Sequence, residues 1–272
     1  MSQPNTRRPD GVEWNAAVYH RVAQPHVSWG AKVLARLHLR GDETVLDAGC
    51  GTGRLTAELL ELLPQGRVIA FDRSQNMLDK AREELEPRFG DRVRYVQGDL
   101  QTIGTATIGE SVDVVFSTAT FHWLSDHPHL FAGLFALLRH GGRLEAQCGG
   151  GPNIAAVRTR AGELMASPPY APFFAGWSGP WHFADDVTTA DRLRDAGFVD
   201  VATTLEEAPT LLPDAATYHD FLRDVVFGSH LARIPDDDLR HTFVDTLTRQ
   251  AAGDDPPFAL DYWRLNMSAR KP

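Results

Sequence analysis

Cysteine is scarce in this chain of 272 residues: there are two, Cys50 and Cys148, and no C-x-x-C. That excludes a disulfide framework and a thiolate zinc site, and it fits a reducing, cytoplasmic setting. Basic charge is also short, with 27 Lys and Arg against 36 Asp and Glu and a formal net charge of −9. A negative chain repels polyanions, which argues against nucleic acid or an anionic membrane as the main partner. No apolar run reaches the roughly 18 residues of a membrane helix. The start, M-S-Q-P-N-T-R-R-P-D-G, has no apolar run either, so it does not read as a secretory signal. There is no G-x-S-x-G, so the hydrolase elbow is missing. No repeat or low-complexity tract appears.

What is present is material for a full core, 43% of the residues being hydrophobic, and one organising stretch, T-V-L-D-A-G-C-G-T-G-R-L at 44–55. An apolar strand runs into an acid, Asp47, then into Gly49, Gly51 and Gly53, then into a helix. Glycines let such a loop turn sharply and lie against a ligand. A loop of this kind at the carboxyl end of a parallel strand is where open α/β sheets bind nucleotide-like cofactors. A dinucleotide fingerprint needs Gly or Ala at its sixth position, and Arg54 stands there. That disfavours a nicotinamide-dependent oxidoreductase. An acid two residues ahead of the glycines would also repel a pyrophosphate. A cationic ligand with a free amino group suits Asp47 better, and S-adenosylmethionine, with its sulfonium and ammonium, is such a ligand.

The rest of the chain alternates strand and helix. Residues 1–11 read as a flexible tail, and a helical pattern follows from Trp14 to Leu39 with Tyr19, His26 and Trp29 in it, a candidate lid. Strands are expected at 44–46, 67–71, 93–97, 112–117 and 143–147, with helices at 52–63, 74–86 and 128–138 and a turn at 139–142. Five β-α repeats imply a parallel sheet with right-handed crossovers. Residues 186–196 read as a helix, 198–205 as strand six, 214–252 as helical, and 258–269 as a final antiparallel strand. The expected architecture is α/β: a doubly wound, seven-stranded, mostly parallel sheet. Residues 12–150 form its cofactor-binding core, and 186–209 and 257–272 complete it. Stretches 151–185 and 210–256 read as substrate-cap insertions; 170–183 is rich in aromatics, including Tyr170, Trp177 and Trp181.

Three strands end on acids. Asp72, at the tip of strand two, is placed to accept from ribose hydroxyls. Asp99, after strand three, can accept from an adenine amino group. The loop T-A-T-F-H-W-L at 118–124 follows strand four and can face the substrate. His127-Pro128-His129 has no third nearby ligand and makes a poor metal site.

The D-A-G-C-G-T-G loop, Asp72, the G-D-L at 98–100 and the segment after strand four recur in this order in the class I S-adenosylmethionine-dependent methyltransferases, which the chain resembles over about residues 12–150. Within them, W-N-A-A-V-Y at 14–19 and F-H-W-L at 121–124 are similar to the trans-aconitate and farnesoic acid methyltransferase group. The resemblance implies a fold of the type above and S-adenosylmethionine as cofactor. It implies that Asp47 and the loop through Gly49, Cys50, Gly51 and Gly53 hold the methionine moiety. It puts Asp72 and Arg73 at the ribose, Asp99 and Leu100 at the adenine, and Tyr19 nearby. Trp123 would face the acceptor, as would His26, with Gln24 beside it, in place of an N-terminal glutamine. His122 and His26 would be the candidate bases if the acceptor needed one. A small or medium acceptor is expected, with a carboxylate first. A phenol or hydroxyl, a nitrogen or a carbon stays open, as does a cofactor-binding module without catalysis.

Overall fold

Runs of β-branched and apolar residues separated by capped amphipathic segments build the sheet in chain order. A computed structural model of the protein describes residues 24–272, with side chains from residue 29 onward. Helix α1, Gln24–Arg36, stops three residues short of the expected Leu39. Strand β1, Thr44–Ala48, is buried at every position, as a strand covered on both faces should be. Next come α2 (Arg54–Leu62), β2 (Arg67–Asp72), α3 (Gln75–Phe89), β3 (Val93–Gln97), α4 (Thr105–Ile108), β4 (Val112–Thr118), α5 (His127–Leu137) and β5 (Leu138–Gly149). Side-chain caps fix the starts of two of these helices. The Ser74 hydroxyl accepts from the Met77 N–H at α3, and the Asp126 carboxylate accepts from the His129 N–H at α5.

After β5 the chain forms α6 (Ala155–Met165), α7 (Ala171–Phe174), α8 (Asp186–Asp195), β6 (Val199–Glu207) and β7 (Thr210–Leu211). It continues through α9 (Ala215–Phe221), a π-helical stretch at Leu222–Val226, α10 (Gly228–Leu231), α11 (Asp237–Ala251), β8 (Ala259–Leu260) and β9 (Trp263–Arg270). The seven-stranded sheet has the order β3-β2-β1-β4-β5-β9-β6, and β7 pairs with β8 apart from it. β1 to β5 pair in parallel, and β9 runs antiparallel to β5, as expected.

Alternate residues feed two cores. Leu46, Ile69 and Val115 pack on one face with α5 residues such as Leu130 and Leu134. Val45, Val68 and Val114 pack on the other with Leu59, Leu60 and Leu78. The strand order reverses between β1 and β4, and the loop after β1 opens at this switch point, where such sheets bind ligands.

Three expectations change in detail. The turn expected at 139–142 lies inside β5, where the register against β4 shifts between Val112 and Val114 and Gly141 takes φ +76°. The helical stretch 214–252 is broken, because Pro235 cannot continue a helix and Asp236 caps a new one by accepting from the Leu239 N–H. The last strand begins at Trp263, since residues 259–260 pair with β7 instead.

The described residues form two compact units. One holds the sheet, from residues 24–151, 181–206 and 263–272; the other comprises residues 152–180 and 207–262. In the second, Arg160 grips Asp254 with both guanidinium nitrogens, Nη1 to Oδ2 at 2.8 Å, tying its two segments together. No helix among the described residues is long and apolar enough to cross a membrane.

Candidate active site

The loop after β1 is held from below by β2. The N–H groups of Gly49 and Cys50 both donate to the Phe71 carbonyl, at 2.8 and 3.0 Å. Gly49 has φ +90°, and a Cβ there would lie 2.2 Å from Oγ1 of Thr120, so both backbone and packing demand glycine. Gly51 has φ +55°, and among the described residues a Cβ there would meet nothing within 4 Å, so that side of the loop can take a ligand. Gly53 caps α2 in the left-handed region, and Arg54 is the first residue of that helix.

Asp72 organises the loop from the tip of β2. Its Oδ2 accepts from the Gly51 N–H and its Oδ1 from the Ser74 N–H, both at 2.9 Å. Those bonds orient the carboxylate and leave it capacity to accept from further donors. Asp99 caps the short turn Leu100–Thr102 by accepting from the Gln101 N–H at 2.9 Å, and Nε of Arg73 lies 3.8 Å from its other oxygen. Leu100 is buried in the core beside it.

Asp47 is buried, and its Oδ2 accepts from the Thr56 hydroxyl at 2.6 Å. Burial pushes its carboxyl up to about 7, and the nearby negative charge of Asp72 adds to the rise. Burial and the same two acids push the Cys50 thiol up as well. Asp47 thus stands as a buried carboxyl beside a second acid, with one neutral donor. A cation brought to this loop would relieve it. An ammonium-bearing ligand such as S-adenosylmethionine fits these residues, and a pyrophosphate does not.

Beyond β4, Ala119 takes φ +53° and the Thr120 hydroxyl donates to the Thr118 carbonyl at 2.9 Å. The chain then forms a short turn, Phe121–Trp123. His122 is buried, and its Nδ1 accepts from the Gly149 N–H at 3.3 Å. The neutral ring therefore carries its proton on Nε2. The His122 carbonyl accepts from the His182 N–H at 2.8 Å, which lays residues 181–183 along this turn. The Phe183 ring stacks on His122 with centroids 5.7 Å apart, and Trp181 lies 6.2 Å from Trp123.

Two more imidazoles lie nearby. His127 donates from Nε2 to the Phe121 carbonyl at 3.0 Å. Arg192 donates Nη1 to Nδ1 of His127 at 3.4 Å and to Nε2 of His182 at 3.2 Å. Burial holds His127 down at about 4, and burial followed by the Arg192 charge lowers His182. Both are structural acceptors for Arg192, whereas His129 is exposed at the start of α5.

β9 runs against β5, so its first residues lie at the edge where β1 and β4 end. Arg264 faces Gly149 in register, is 2% exposed, and lies over the Trp29 ring at 4.4 Å from its centroid. Thr56, Thr120, Arg192 and Arg264 do not stand out in the sequence. Their signal is in register: Thr56 follows Gly53 by three residues on α2, and Arg264 takes an inward strand position. Tyr19 and the side chain of His26 lie outside the described residues.

A profile of the methyltransferase domain family matches residues 45–142. The trans-aconitate 2-methyltransferase of Deinococcus radiodurans is 30% identical over 227 residues, covering 82% of this chain and 84% of that protein. The enzyme of the same name from Methylobacterium radiotolerans is 30% identical over 278 residues, covering 96% and 99%. The chain belongs to the class I S-adenosylmethionine-dependent methyltransferases. A crystal structure of a Bacillus halodurans protein described as a methyltransferase shares the fold, with a TM-score of 0.60 at 19% identity, over 90% of this chain and 99% of that one. Its relatives are named as methyltransferases and its cofactor is S-adenosylmethionine, which sets aside the non-catalytic and the nicotinamide readings.

Proposed function

We propose that this methyltransferase esterifies a carboxylate on a small or medium acceptor. The bound cofactor supplies an electrophilic methyl group on a sulfonium. The protein's own task is to hold a nucleophile in line with that methyl and keep water out. A carboxylate, with a pKa of roughly 4, arrives ionised at neutral pH and needs donors rather than a base. The observation that carries the reading is the tautomer of His122. Its Nδ1 is taken by the Gly149 N–H, so the ring serves as a donor through Nε2–H. His127 and His182 are tied to Arg192 and held neutral, so neither is poised to take a proton from a phenol.

Arg264 is a buried arginine in register with Gly149, the residue whose N–H holds His122. Trp123 adds an indole N–H donor. Both relatives are named for methylation of trans-aconitate, an acid. In this reading Asp47 takes the cofactor's ammonium, Asp72 the ribose hydroxyls and Asp99 the adenine. Residues 151–185 and 210–256 are assigned to acceptor selection, and two free, buried cysteines suit a cytoplasmic enzyme.

The test is a panel of mono-, di- and tricarboxylates, trans-aconitate among them, alongside phenols and amines, each incubated with enzyme and S-adenosylmethionine. An alkali-labile methyl ester from at least one acid is expected. An alkali-stable ether or N-methyl product, with every acid refused, would overturn the reading.

A further inference from the structure

Two imidazoles and a carboxylate that play no part in methyl transfer converge within residues 207–262. His219 lies on α9, and His241 and Asp245 lie one turn apart on α11, which puts them on the same helix face. Nε2 of His219 is 3.3 Å from Oδ1 of Asp245, and Nε2 of His241 is 3.2 Å from Oδ2. One donor atom from each of the three residues lies within 4.8 Å of the others. Two ligands bound to one ion at zinc distances in a tetrahedral arrangement stand about 3.3 Å apart. The two nitrogen–oxygen separations are of that size, one to each oxygen of Asp245, so a single carboxylate faces both imidazoles.

The surroundings of His219 point the same way. Its Nε2 is buried and has no hydrogen-bond partner of good geometry among the described residues. Its Nδ1 lies 3.5 Å from Oδ1 of Asp220, and Nη1 of Arg223 holds that carboxylate at 2.9 Å. An Nδ1–H aimed at a carboxylate fixes the tautomer with the lone pair on Nε2, the arrangement that supports a metal-bound histidine.

We propose that His219, His241 and Asp245 form a site for a divalent transition-metal ion, with zinc the best match, that clips α9 to α11. Imidazole and carboxylate suit zinc, nickel or copper, whereas magnesium and calcium favour all-oxygen sets. With three protein ligands, water completes the coordination. None of its residues is assigned to methyl transfer, so the proposal stands or falls independently of the acceptor.

The test uses the full chain, without an affinity tag and stripped with chelator. Calorimetric titration with zinc chloride should show one equivalent bound, and magnesium chloride should show none. His241→Ala should weaken zinc binding at least about tenfold. The His241 side chain is 68% exposed, so that variant keeps the metal-free melting temperature. Zinc should raise the melting temperature of the unmodified chain and not that of His241→Ala. Asp245→Asn supplies a second variant with the same expectation. No zinc uptake, or uptake equal in the parent and His241→Ala, overturns the proposal.

Discussion

Asp47 sets the electrostatics of the glycine loop. A buried carboxyl held near 7, against about 3.9 for a free one, keeps its proton through the acid range. The folded chain then binds more protons than the unfolded chain between about pH 4 and 7. Stability without cofactor therefore falls as pH rises through that window, and the cost is complete above 7. Three units correspond to about 4 kcal/mol as an upper bound. Asp47→Asn should accordingly raise the melting temperature of the cofactor-free protein at pH 8 and leave it little changed at pH 5. The same variant should bind S-adenosylhomocysteine at least about tenfold more weakly at pH 8, because the ammonium loses its counter-charge. In the parent chain affinity should rise with pH through about 7, and in the variant this rise should vanish. Calorimetry at pH 6, 7 and 8.5 decides. Equal pH profiles for parent and variant would remove Asp47 from the ammonium.

At the scale of the element, the loop between β1 and α2 separates two uses of glycine. Gly49 is enclosed, its absent Cβ facing Thr120, while a Cβ at Gly51 would meet nothing among the described residues, which leaves room for a ligand. Gly51→Ala should cost about 1–2 kcal/mol of stability, the price of a left-handed alanine. It should still weaken S-adenosylhomocysteine binding more than about tenfold. Gly49→Ala adds a clash with Thr120 to the same backbone strain, so it should lose more stability than Gly51→Ala. Thermal melts and calorimetry on both variants check this, and full cofactor affinity in Gly51→Ala would deny that the open side is the cradle. The loop was legible in the sequence because its chemistry is local: strand, acid, three glycines and helix lie within twelve residues. The parallel strands were legible for a similar reason, since burial on both faces writes continuous apolar runs such as V-I-A-F. Other features were not. The break in residues 214–252 was signalled by Pro235-Asp236 but hidden by helix-like periodicity on both sides. The start of β9 depends on β8 choosing β7 as a partner, a contact 50 residues away that no local pattern records. The Arg192 bridge likewise reaches His127 across 65 residues.

For the whole molecule, the division into two units matters more than its length. Every described residue assigned to the cofactor, from Asp47 to Leu100, belongs to the unit built on the sheet. The second unit is discontinuous, and Arg160–Asp254 is a charge-assisted bidentate bond between its two segments, with both side chains about three-quarters buried. Removing one partner of such a pair loses the bond and leaves the other charge partly desolvated, so Arg160→Ala should cost about 2 kcal/mol. Because stability is distributed in local cooperative units, that loss should be confined to the unit that contains the pair. Hydrogen exchange should quicken in peptides from 152–180 and 207–262 and stay unchanged from 44 to 118. S-adenosylhomocysteine should bind the variant within about twofold of the parent, since none of its proposed partners has moved. The acceptor reaction should suffer instead, through a raised KM, if acceptor selection belongs to these segments. Faster exchange along β1, β2 and β4 in Arg160→Ala, with weakened cofactor binding, would show that the two units stand or fall together and that acceptor selection cannot be altered without disturbing the methyl donor's site.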